Sequence, residues 1–207
     1  MKIAIAAVFA IGPCAFADVG VVEATGAFQP GGASSTSYVS AIGAGQNPRL
    51  DGYDFGSVNV LSGQTLLLQN WYFENYAYNG GSTPANAVTN DNWLDGSSTA
   101  TLTVVVKAGS STVAGSTLTL SQTSVSGNNR FWQLAAGDQN TNLAAGLSNG
   151  GYTVEFTTTF SANQWTGSVS QFNTTTATST ASFTVIPAPG ALALLGVAGL
   201  VSARRRR

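Results

Sequence analysis

The chain has 207 residues, one domain of ordinary size with terminal additions, and only 8% of them are charged, about a third of the usual fraction. It has no histidine and a single cysteine, Cys14. That excludes Ser-His-Asp and Cys-His nucleophile systems and removes the commonest transition-metal ligand. Between Asp18 and Ile186 three basic residues, Arg49, Lys107 and Arg130, face nine carboxylates, a balance of −6. A surface of that sign repels phosphate, so nucleic acid is not expected as a partner.

The N-terminus reads MKIAIAAVFAIGPCAFADVG. Lys2 is a minimal basic region, Ile3 to Ile11 is an apolar stretch, and Ala15-Phe16-Ala17 is a small-x-small cleavage pattern before Asp18. These features predict a helical secretory signal peptide over 1–17. Pro13 stands before Cys14, where a lipoprotein signal wants Gly or Ala. A mature chain from Asp18 has no cysteine, so its stability rests on a core even where disulfides are permitted.

Residues 18–186 read as one all-β domain, an antiparallel β-sandwich of jelly-roll-like type. GVVEAT, SVNVLSG and TLLLQNWYFENYAY are the first strand candidates. In the third, Trp71 and Phe73 share one face while Tyr72, Tyr76 and Tyr78 share the other. STATLTVVVKAGSS places Leu102, Val104 and Val106 opposite Thr101, Thr103 and Lys107. STLTLSQ points Leu118 and Leu120 inward, and TASFTVI offers Ala181, Phe183 and Val185. The cleanest period of two is GGYTVEFTTTFSA, with Tyr152, Val154, Phe156, Thr158 and Phe160 on one face. Turn signals lie at Asn79-Gly80-Gly81, Asp95-Gly96-Ser97, Lys107-Ala108-Gly109 and Asn149-Gly150-Gly151. QFNTTTATSTAS, 171–182, reads as a Thr-rich loop leading into an edge strand, with a sequon at Asn173-Thr174-Thr175. No segment has the 3.6 period of an amphipathic helix. Short strands separated by turns argue for a sandwich. The order FENYAYNGG, TLTVVV, RFWQL, NLAAGLSNGGYTVEF, ASFTVI also resembles that of small β-sandwich modules in secreted bacterial surface proteins.

The domain offers residues for three kinds of site. Asp51 with Asp54, and Asp91 with Asp95, are the carboxylate pairs closest in sequence. A glycosidase needs carboxylates on two sides of one bond, and such neighbours fit turn capping better; no enzymatic role is expected. Asp91, Asp95 and Gly96 match part of a Ca²⁺ loop, but Trp93 and Leu102 occupy ligand positions. No cofactor is expected beyond a structural Ca²⁺ held by backbone carbonyls and one of these aspartates. Sugars stack on aromatic rings, and Tyr72, Tyr76, Tyr78 and Trp93 are the candidates for a polysaccharide-binding face. Trp71 and Phe73 are expected in the core.

The C-terminus reads FTVIPAPGALALLGVAGLVSARRRR. The last strand is expected to end near Ile186, with Pro187 and Pro189 keeping the chain extended beyond it. As a helix, 191–203 would be about 20 Å long, short of a hydrocarbon core about 30 Å thick. Arg204, Arg205, Arg206 and Arg207 hold that end cytoplasmic and leave the bulk of the chain outside. Pro187-Ala188-Pro189, a short apolar transmembrane helix and an arginine cluster together resemble the sorting signal of PEP-CTERM proteins, with Ala188 where glutamate is usual. The resemblance covers 187–207. It implies transient residence in the inner membrane, processing near the motif by an exosortase-type enzyme, and delivery to the cell surface, the outer membrane or the extracellular matrix. A non-catalytic structural or adhesive role, in exopolysaccharide or biofilm, is the expected function, with a carbohydrate-binding module as the alternative.

Overall fold

In a computed structural model the described residues are 18–41, 49–78, 99–126, 129–165 and 170–187. They form ten strands and one short helix: β1 (Asp18–Pro30), β2 (Thr36–Ala41), β3 (Tyr53–Val58), the 3₁₀ turn η1 (Val60–Ser62), β4 (Leu66–Tyr78), β5 (Thr99–Ala108), β6 (Ser111–Ser126), β7 (Asn129–Leu134), β8 (Thr141–Asn142), β9 (Gly150–Trp165) and β10 (Ser170–Val185). The expected all-β class is what is observed. The signal helix and the transmembrane helix fall outside the described residues. Among the described residues no helix is long and apolar enough to cross a membrane.

Alternation builds the core. β9 buries Tyr152, Val154, Phe156, Thr158 and Phe160, and β5 buries Ala100, Leu102, Val104 and Val106. Leu118, Leu120, Ala181, Phe183 and Val185 join them, as do Trp71 and Phe73 from β4. Many of their outward neighbours are threonines. Cross-strand pairs set Thr119, Thr101, Thr159 and Thr176 in one rank across β6, β5, β9 and β10, and Thr117, Thr103, Thr157 and Thr178 in the next. Thr157 and Thr178 hydroxyls lie 3.0 Å apart, Thr103 and Thr117 3.3 Å apart. This is how a chain so poor in charge solvates a β face.

The sheet departs from the expected antiparallel sandwich. The strands form one continuous sheet in the order β2-β1-β4-β7-β6-β5-β9-β10-β3, with β8 on the side of β4. β3 runs parallel to β10 while the other pairs are antiparallel. The sheet curls into a half-barrel, so that distant strands face each other. Trp71 of β4 stacks on Phe156 of β9, ring centres 5.4 Å apart, and its Nε1 donates to Thr158 Oγ1 at 3.0 Å. Phe73 meets Phe160 at 5.6 Å and Phe28 meets Phe156 at 5.3 Å.

Three further readings are corrected. SVNVLSG is not one strand: β3 stops at Val58 and the chain turns into η1. The Asn59 side chain accepts from Ser62 N, and Gly63 closes the turn at φ 79°, a left-handed angle that favours glycine. The Thr-rich stretch 171–182 is not a loop but lies within β10, because threonine is β-branched and fits a pleated surface. The part of β10 that follows, Ala181–Val185, is not an edge either, since it pairs β9 on one side and β3 on the other.

Candidate functional site

Trp71 and Phe73 point into the core, so Tyr72 between them must point out. It is 47% exposed. Cross-strand register sets it beside Thr25 of β1 and Gln133 of β7, and sets Glu74 beside Phe131. These side chains and Thr123 line a groove of about 210 Å³, with buried Phe73 and Trp132 beneath it. The concavity has a local cause. In β6 the pairing with β7 slips between Gln122 and Ser124, which leaves Thr123 as an extra residue. Its hydroxyl donates to Phe131 O at 3.1 Å. In β1 the register shifts between Val21 and Glu23. Bulges bend a strand and re-aim its side chains, and here two of them flank one patch of the outer face.

The groove offers two rings, an amide, hydroxyls and the carboxylate of Glu74. Its volume is below the roughly 300 Å³ of pockets that enclose a whole small molecule. It therefore fits a ring or two of a longer chain lying along the surface. Of the sugar-binding candidates, Tyr72 lies in the groove. Tyr76 and Tyr78 belong to β4, opposite Gly20 and Asp18 in register, but their side chains are outside the described residues. Trp93 is outside them too. Glu74, Phe131 and Gln133 carry no signal in the sequence, because only the β4–β7 register gathers them.

The other candidates divide the same way. Asp51 Oδ1 accepts from Thr180 N at 3.0 Å and from its hydroxyl at 2.9 Å, and Asp54 Oδ1 accepts from Gly56 N at 2.9 Å. Both hold backbone, as turn-capping aspartates do. Asp91 and Asp95 lie outside the described residues. Among the described residues no three metal-ligating side chains cluster. A second cavity, about 240 Å³, is lined largely by Val104, Val106, Leu143, Ala114 and Ala145. The Asn142 amide oxygen beside it already accepts from Leu66 N and Ala144 N.

The two expected processing points meet the domain at its ends. Ala15 and Ala17 are outside the described residues, and Asp18 is the first residue of β1. At the other end Ile186 N donates to Val58 O at 3.1 Å. Buried Asn59 donates from Nδ2 to Pro187 O at 3.3 Å. The backbone is thus tied down as far as the first proline of the motif. Ala188, Pro189 and Arg204 to Arg207 lie beyond the described residues.

Comparison with known protein families, curated proteins and solved structures finds no match.

Proposed function

We propose that the chain is an exported surface protein, delivered by its C-terminal signal, whose β-domain has a structural or adhesive role and no catalytic one. The observation that carries this reading is how the domain is tied down on its C-terminal side. The bonds from Val58 and Asn59 secure Ile186 and Pro187, and the remaining 20 residues hold the rest of the motif, the apolar stretch and the arginines. The facing halves of the curled sheet supply the two-layered core of a sandwich-like module. Intact mass of the mature protein from cells tests the proposal. A species starting at Asp18 and ending near Pro187 is expected; one that keeps Arg207 refutes sorting and leaves a plain membrane anchor.

The groove at Tyr72 favours a second reading, binding of an extracellular polysaccharide, acidic or neutral. Tyr72 and Phe131 provide ring faces, and Gln133 provides a partner for sugar hydroxyls. On a glycan array the protein should retain oligosaccharides, and Tyr72→Ala should lose them. No retention, or an unchanged profile for the variant, overturns this reading.

A further inference from the structure

The end of the domain from which the tail leaves is chemically unlike the rest. Val185 pairs Val58 on one side and Gly150 on the other, and Leu66 pairs Pro30. Loops 31–35, 59–65 and 143–149 therefore gather at one end of the half-barrel, and Gly31 N donates to Thr65 O at 2.7 Å to join two of them. None of the three contains a charged residue. The nearby Lys107 and Glu155 are set back along β5 and β9 and bridge each other at 2.7 Å. Leu61, in η1, is 72% exposed, the most exposed large apolar side chain among the described residues. It stands two residues from Asn59, the residue that holds Pro187.

We infer that this uncharged end, with Leu61 at its tip, is a membrane-contact surface that seats the domain in the lipid headgroup layer while the tail is embedded. The inference rests on the reading of 191–203 as a membrane segment. Only Ala188, Pro189 and Gly190 separate Pro187 from that segment, and three extended residues reach about 10 Å. The headgroup layer on each side of a bilayer is about 5–7 Å deep. That reach exceeds the layer by only about 3–5 Å, so a domain tied down as far as Pro187 stays close against it. The segment is also short: about 20 Å as a helix, against a hydrocarbon core of about 30 Å. The shortfall draws the domain's end toward the lipid. An end that carried charge would resist that pull, whereas an exposed leucine among neutral loops accepts it. The contact would fix the motif at the depth of the headgroups, within reach of a membrane-embedded processing enzyme. Because no charge takes part, it is independent of salt and of anionic lipid.

The test uses the full chain in phosphatidylcholine vesicles, with Cys14→Ser to remove the native thiol. Leu61→Cys and Thr174→Cys are labelled with a polarity-sensitive fluorophore and quenched by headgroup-nitroxide lipid. Thr174 is exposed and pairs Ser161, eleven residues along β9 from Gly150, a distance of about 36 Å. Quenching several-fold stronger at position 61 than at 174, at low and high salt alike, is expected. Amide exchange of the unlabelled chain should slow over 59–65 on vesicle incorporation and stay unchanged near 174, which guards against insertion of the label itself. Chains that float with vesicles but show neither effect overturn the contact and leave the tail reading standing. Equal quenching at both positions overturns an end-on seat. Chains that do not float overturn both readings.

Discussion

Thr158→Val tests whether the sheet curls. Thr158 is buried in β9, and its hydroxyl accepts from Trp71 Nε1 of β4 at 3.0 Å. β7, β6 and β5 lie between those strands in the hydrogen-bonded order, so only a sheet folded back on itself brings the two side chains together. Valine keeps the shape of threonine and removes the acceptor. Trp71 is fully buried, so its N–H finds no water in exchange, and a buried donor left unpaired costs about 1–3 kcal/mol. The added methyl recovers up to about 0.8 kcal/mol, so the net loss should be about 1–2 kcal/mol. For a domain of this size that lowers Tm by roughly 2–8 °C. Urea unfolding followed by far-ultraviolet circular dichroism measures it. The sharper assay is the double-mutant cycle with Trp71→Phe. Residues in contact couple by about 0.5–3 kcal/mol, whereas independent sites add to within about 0.5 kcal/mol. Additive effects would refute the contact and with it the curl.

Tyr38 is buried in β2, and burial first, then its hydrogen bond with Tyr53, pushes its phenol up to about 12 from 10.0. The folded state holds that proton more firmly, so the stability it contributes is complete below about pH 10 and is lost as pH rises through about 12. The loss is at most about 2.7 kcal/mol, and denaturant midpoints at pH 9 and pH 11.5 should converge in Tyr38→Phe. Gly26→Ala places a Cβ 2.8 Å from Trp71 Cζ3 and closer still to the Phe28 ring; a loss of about 1–3 kcal/mol in urea is expected. Gly115→Ala, whose Cβ meets only Val104 O at 3.6 Å, should escape that overpacking cost. Lys107→Ala breaks a bridge between side chains about one-third exposed, and should cost less than about 1 kcal/mol, shrinking further in high salt.

What could be read from the sequence follows from how local each signal is. The inward sets of β5 and β9 are visible because their period of two runs unbroken for several residues. Tyr72 follows from Trp71 and Phe73 by the same rule. β3 is hidden because Asp51, Gly52 and Asp54 read as a turn, although Tyr53 and Phe55 alternate within it; Gly56, at φ 77°, then breaks the strand geometry. Its parallel pairing with β10 depends on residues more than a hundred positions away. The Thr-rich stretch of β10 was misplaced by polarity: hydroxyls suggest a loop, yet branching at Cβ favours a strand, and Ser179 within it is buried. Glu74, Phe131 and Gln133 could not be grouped, because the slip at Thr123 belongs to a pairing rather than to a segment.

The curl also answers a difficulty that the composition raises. A sheet has two edges with unpaired backbone, and proteins commonly blunt such edges with lysine or other charges. Between Asp18 and Ile186 this chain has only three basic residues, none of them on β2 or β3. Its edge strands are β2 and β3, and they meet through rings instead. Tyr38 lies 4.4 Å from Tyr53 and 5.5 Å from Phe55, and Phe28 lies 4.8 Å from Phe55, centre to centre. Side chains of the two edge strands thus pack on each other, and aromatic packing worth about 0.5–1.5 kcal/mol per pair beyond its buried area holds this seam. The bend that brings Trp71 to Thr158 is the one that brings Tyr38 to Tyr53. Opening the seam would therefore expose two strand edges on a surface with few charges to keep copies apart, so Tyr38→Ala should promote self-association as well as lower stability. Light scattering of the variant, monomeric and unchanged, would show that the edges are guarded by something other than the seam.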